Sequence, residues 1–166
     1  MLKNLILCLV AIAALSSCKD EHRLFEKNTI IENNEWNRDQ AVSFDFEVVD
    51  TTQLCNILAN VRSTNAYPYY NLFLKVELVN PEGVIILNDI KEGYLFNPTT
   101  GKPYGQTSSF MGISLGDLYD QRIVISQKHK FTLLGKYKLR LSHYMRDVDP
   151  VVDIMAVGYR VEKVGL

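Results

Sequence analysis

The chain has 166 residues, a formal net charge of −1 and a hydrophobic fraction of 47%. That length and apolar content suffice for one buried core. The near-neutral balance excludes the basic footprint of a nucleic-acid binder, and three cysteines with three histidines exclude a disulfide framework or a zinc site.

The first element is an export signal. Lys3 supplies a positive start, and residues 5–15 are uncharged and apolar. That run is far short of the ~20 residues a spanning helix needs, and it ends in small residues as signal peptides do. Leu15-Ser16-Ser17-Cys18 then forms a lipobox. The Cys18 thiol takes up diacylglycerol as a thioether, the chain is cut before it, and the new amino group is acylated. Two or more acyl chains anchor stably where one holds only marginally. Cys8 leaves with the signal, so Cys55 remains as a lone thiol, expected to be a buried small hydrophobe. The boundaries that follow are a signal over 1–17, a lipidated tether over 18–35 and a single domain over 36–166. The tether reading rests on the polar ends of that stretch, Lys19-Asp20-Glu21 and Asn33-Asn34-Glu35, since charged segments stay solvated.

From residue 41 onward the apolar residues recur with period two, the mark of half-buried strands. Val42, Phe44, Phe46 and Val48 alternate with Ser43, Asp45 and Glu47. Cys55, Ile57, Ala59 and Val61 share a face, and so do Leu72, Leu74, Val76 and Leu78. Asn80-Pro81-Glu82-Gly83 reads as a turn, with residues 84–90 returning as the second arm of a hairpin. Residues 94–113 are rich in Gly, Pro, Ser and Thr and read as a long irregular loop; residues 113–119 read as a short helical turn. Tyr137, Leu139, Leu141 and His143 form another strand, and residues 155–164 the last. The expected fold is an all-β antiparallel sandwich. Gly135 two positions before Tyr137 resembles a tyrosine corner, which favours an immunoglobulin-like topology; a jelly roll is the alternative.

The motifs of catalysis are missing. There is no H-E-x-x-H, no G-x-S-x-G and no phosphate-cradling glycine loop, so neither enzymatic activity nor a cofactor is expected. Asp147, Asp149 and Asp153 around Pro150 offer oxygens for calcium. They lack EF-hand spacing, and Asp-Pro favours a plain turn, so no metal site is expected. Contact residues are sought instead in Tyr67-Pro68-Tyr69-Tyr70-Asn71, where tyrosines offer broad area with a polar tip. The same rings would also serve as caps on an open end of the sandwich. Tyr67, Tyr69 and Asn71 are the candidates there. Arg146 joins them as a clamp for a carboxylate.

The lipobox is followed in order by Val61-Arg62, Tyr67-Pro68-Tyr69, Asn71-Leu72 and Pro81-Glu82-Gly83. After them come Gly101-Lys102, Leu115-Gly116-Asp117, Gly135-Lys136-Tyr137, Met145-Arg146, Val157-Gly158 and Val161-Glu162-Lys163. In this order and spacing the segments resemble the GldH family of gliding-motility lipoproteins of Bacteroidota. Lys102-Pro103-Tyr104-Gly105 departs from the tryptophan-containing form, Gly-Lys-Trp-Leu-Gly, of that loop. The resemblance implies a non-catalytic envelope lipoprotein acting with outer-membrane or periplasmic partners of motility and type 9 secretion. Lys19-Asp20-Glu21 also resembles the lysine-plus-acidic signal of surface lipoproteins in that phylum, so the expected location is the outer membrane. A surface glycan-binding module is the alternative function, although such modules favour aromatic platforms and Trp36 is the single tryptophan.

Overall fold

A computed structural model describes residues 20–110 and 113–165; the lipobox, Cys18 and Lys19 lie outside them. Along the described chain run β1 (Arg23–Ile30), β2 (Glu35–Trp36), β3 (Val42–Val48), β4 (Leu54–Thr64), β5 (Asn71–Val79) and β6 (Ile85–Tyr94). They are followed by β7 (Gln106–Phe110), β8 (Ile113–Lys130), β9 (Gly135–His143), β10 (Val151–Val152) and β11 (Ile154–Lys163). A five-stranded sheet in the order β1-β11-β4-β8-β7 faces a four-stranded sheet in the order β3-β9-β5-β6, with β2 and β10 paired at one end.

The alternation along β3, β5 and β9 dictates which side of the four-stranded sheet is buried. Phe44, Phe46, Leu74, Val76, Leu139 and Leu141 point inward and meet Ile57, Ala59, Val61, Val157, Tyr159 and Val161 from the other sheet. Phe46 sits at the centre of an aromatic cluster, with ring centroids 5.2 Å from Phe25, 5.4 Å from Tyr159 and 5.8 Å from Phe131. Cys55 is buried and unpaired, as expected, and burial pushes its thiol pKa up. The turn after β5 forms as read: the Gly83 amide donates to the Asn80 carbonyl, and Gly83 takes the positive φ that glycine tolerates.

The antiparallel sandwich is therefore as expected, and its strand order distinguishes the two topologies considered. Strands pair in nested fashion: β1 with β11, β2 with β10, β3 with β9, β4 with β8, and β5 with β6 at the tip. A hairpin folded over on itself in this way is a jelly roll. The tyrosine corner is present all the same. The Tyr137 hydroxyl donates to the Leu133 carbonyl at 3.0 Å and accepts from the Leu133 amide at 3.2 Å. It is a local tie that either topology can hold.

Three expectations are corrected. Residues 23–30, assigned to the tether, form β1 and pair with β11 from Arg23↔Glu162 to Ile30↔Ala156, with one register shift between Arg23 and Phe25. Only Phe25 and Glu26 of that strand are partly buried, so its composition is that of a solvated segment. Residues 113–119, read as a helical turn, begin the 18-residue strand β8. The cause is Gly116 at φ 76 and the inward-facing polar Gln121, which interrupt the alternation that Ile123 and Ile125 resume. The loop expected over 94–113 also contains β7, which pairs with β8.

The end of the sandwich where β1 begins and β11 finishes is the basal end. At the opposite, distal end lie residues 31–41, 65–70, 95–105 and 144–153.

Candidate interaction site at the distal end

Four candidate residues from the sequence lie at the distal end, but they do different things. Tyr67 is buried, with its hydroxyl donating to the Asn71 carbonyl at 2.8 Å and its ring stacked on Phe96 at 6.3 Å. Burial pushes its phenol pKa up. Half-buried Tyr69 meets it edge-on at 5.7 Å. Tyr67 is thus a cap of the open end rather than a contact surface. Asn71 donates from Nδ2 to Glu92 Oε1 at 2.6 Å, and Arg62 is held by Asp120 through two bonds of 2.8 and 3.1 Å.

Arg146 is exposed and borders a groove of about 620 Å³ on the outer side of the four-stranded sheet. Phe73, Ile90, Tyr144 and Met145 give it an apolar floor, and Arg38, Arg146 and Asp147 its charged rim. Its construction follows from the pleat. On β5 the inward set Leu72, Leu74, Val76 and Leu78 leaves Asn71, Phe73, Lys75 and Glu77 facing out, so Phe73 stands where a polar residue is the norm. Ile90 pairs with Lys75 on that same face. These two misplaced apolar residues are the signal that sequence reasoning passed over. Beside them Tyr70 and Tyr94 are exposed and stacked at 6.0 Å.

The groove is held open by a hydrogen-bonded loop. Arg38 donates from Nη2 to the carbonyls of Met145 at 2.6 Å and Val148 at 3.3 Å, and its amide donates to Asp149 Oδ1 at 2.9 Å. The Tyr144 amide donates to the Phe73 carbonyl at 2.7 Å. Asp149 is held below the usual carboxylate range, first by the Arg38 amide and then by His143. His143 is fully buried, edge-on to Trp36 at 5.7 Å, with Nε2 3.3 Å from Asp149 Oδ1. Burial lowers its pKa more than Asp149 raises it. Asp153 accepts from the Thr64 hydroxyl at 2.9 Å. The acidic turn thus ties the distal loops together, and among the described residues no group of His, Cys, Asp and Glu is arranged to hold a metal ion. Trp36 is buried, donating from Nε1 to the Gln40 carbonyl at 3.0 Å, so it offers no platform to a sugar.

Chemically, the groove is suited to recognition: an apolar floor to desolvate a side chain, and guanidinium groups at the rim to orient an acidic one. Among the described residues no helix is long and apolar enough to cross a membrane.

Comparison with known proteins agrees with the resemblance carried by the motifs. The chain is 31% identical over 166 residues to a gliding motility lipoprotein GldH homolog of Christiangramia forsetii, covering 96% of this chain and 95% of the relative. It is 30% identical over 168 residues to the gliding motility lipoprotein GldH of Flavobacterium johnsoniae, covering 98% of each. Among solved structures there is a looser likeness to a family GH115 4-O-methyl-α-glucuronidase specific for decorated arabinogalactans. There the identity is 13% and the TM-score 0.43, over 88% of this chain but only 18% of the enzyme. The profile of the GldH lipoprotein family matches residues 23–161, from the first residue of β1 into β11, and the chain belongs to that family.

Proposed function

We propose that this is a lipid-anchored, non-catalytic protein of the outer membrane that serves as an accessory of a gliding-motility or type 9 secretion assembly. Cys18 carries the lipid, and the distal groove takes a protein partner. The observation that carries the reading is the placement of an aromatic, arginine-rimmed groove at the end of the sandwich remote from the anchor. A protein held by its lipids presents that end away from the bilayer. The curated relatives, both named for gliding motility, supply the process.

The test is a photo-crosslinking residue introduced in living cells in place of Tyr144, with Val124 on the outer face of the five-stranded sheet as control. Motility or secretion components captured from position 144 and not from 124 support the reading. An anchored protein that captures none of them from position 144 overturns it. Recovery of a polysaccharide instead would turn the assignment to the glycan-binding alternative.

A further inference from the structure

We infer that the basal end of the sandwich is a membrane-contacting surface that rests directly on the lipid headgroups. This rests on the lipid-anchored reading above.

The first observation is the shortness of the connection to Cys18. Asp20 is already part of the folded domain: its carboxylate accepts from Arg160 Nη2, and the Arg23 amide donates to its carbonyl at 3.2 Å. Arg160 is almost completely buried and also engages Glu26 at 3.2 Å and Glu162 at 2.7 Å, which fixes the cation that holds Asp20. Only Lys19 separates Asp20 from Cys18, and two residue steps reach about 7 Å. An anchor that short brings some surface of the domain against the bilayer.

The second observation identifies which surface. The outer face of the five-stranded sheet, nearest to Asp20, carries Glu26, Asn60, Arg62, Asp120 and Arg122, a set that lipid would have to desolvate at great cost. The basal end is of the opposite character. Val49 is 79% exposed and Leu134 64%, and Leu24, Leu54 and Val84 are also exposed there. Leu24 and Val49 line one apolar hollow of about 220 Å³ beside Lys163. Leu54 is the register partner of Lys130, and Leu134 adjoins Gly135, which pairs with Val48.

Around these aliphatic side chains stand Arg23, Lys128, Lys130 and Lys136, all exposed. Asp50 is turned onto the amide and hydroxyl of Thr52 at 2.8 and 2.6 Å; further exposed acidic groups at this end are Glu21, Glu82 and Glu47, the last opposite Lys136, and Arg23 is paired with Glu26 at 3.3 Å. Aliphatic tips inside a ring of long cationic side chains are the composition of an interfacial membrane surface, with lysine stems covering apolar area while their ammonium groups meet phosphate. The distal end differs: among the residues whose burial is described, the four exposed tyrosines, Tyr70, Tyr94, Tyr104 and Tyr144, are there, with Ile30 and Val152 as exposed aliphatics. The two ends are built for different neighbours.

The experiment uses the full lipidated protein reconstituted in phosphatidylethanolamine–phosphatidylglycerol vesicles. A fluorophore is attached at Val49→Cys, Leu134→Cys or, as distal control, Tyr144→Cys. Cys18 is blocked by its lipid and Cys55 is buried, so labelling is selective. Flotation of the vesicles reports the anchor, and quenching by a spin-labelled lipid reports depth. The expected result is flotation with roughly two-fold quenching at positions 49 and 134 and none at 144, as for groups seated about 5–10 Å into the headgroup region. Flotation without quenching at 49 and 134, or with equal quenching at 144, overturns the inference and leaves the anchor standing. Failure to float overturns the anchored reading and the inference with it.

Discussion

Tyr67 and Tyr144, both in distal loops, show how burial decides the role of a side chain. The buried Tyr67 ring lies on Phe96 and its hydroxyl closes onto the Asn71 carbonyl. Tyr67→Ala should therefore cost about 3 to 5 kcal/mol, as truncating a buried aromatic does, seen as a fall in the urea midpoint. Tyr144→Ala at the exposed wall of the groove should change the midpoint by less than about 0.5 kcal/mol while weakening partner capture. Two histidines add a pH dependence. Burial lowers the pKa of both His129 and His143, so the folded state binds fewer protons than the unfolded chain, whose histidines titrate near 6.5. Stability is then full above about pH 7 and falls as the pH drops below about 6.5 toward the lowered folded values. Urea midpoints at two pH values on either side of that window should show the loss, and His129→Gln should reduce it.

At the scale of the element, β1 is the strand whose role runs against its composition. It covers one edge of β11, and an uncovered edge of paired length is a template for association. Deleting the chain through Ile30 should expose that edge and turn a monodisperse domain into an associating one, read by size-exclusion chromatography; a true tether would be removed without consequence. How legible each element is in the sequence follows from what it buries. β3, β5 and β9 bury one whole face, so their period is clean in the residues. β1 contributes little beyond Phe25 to the core and owes its place to backbone pairing with β11, which no side-chain pattern records. In β8 the bulges opposite Cys55 and Ile57 and the buried Gln121 break the period. The groove was half legible for a related reason. Arg146 stands out as a charge, but Phe73 and Ile90 are informative only once the face they occupy is known. Tyr67 announces itself as an aromatic whichever way it points.

Across the whole molecule the two ends are chemically distinct, and the jelly roll places them. Its nested pairing brings the beginning of β1 and the finish of β11 to the same end, leaving the loops at 65–70, 95–105 and 144–153 at the other. The sandwich is therefore a spacer of one strand length between a surface of aliphatic and lysine side chains and a surface of tyrosine and arginine.

The nesting also sets an order of events. β11 lies between β1 and β4, so β1 has no partner in the five-stranded sheet until the last strand arrives, and Arg160 of that strand is what clasps Asp20. A chain threaded through a membrane from its N-terminus cannot close this domain while residues 154–163 are still on the far side. On the lipid-anchored reading proposed above, lipidation of Cys18 and release of the signal precede closure of the domain. On the same reading the body is drawn up to the anchor only once β11 is in place, because Arg160 of β11 is what holds Asp20. The same arrangement that completes the sheet thus makes closure of the domain wait for its last strand.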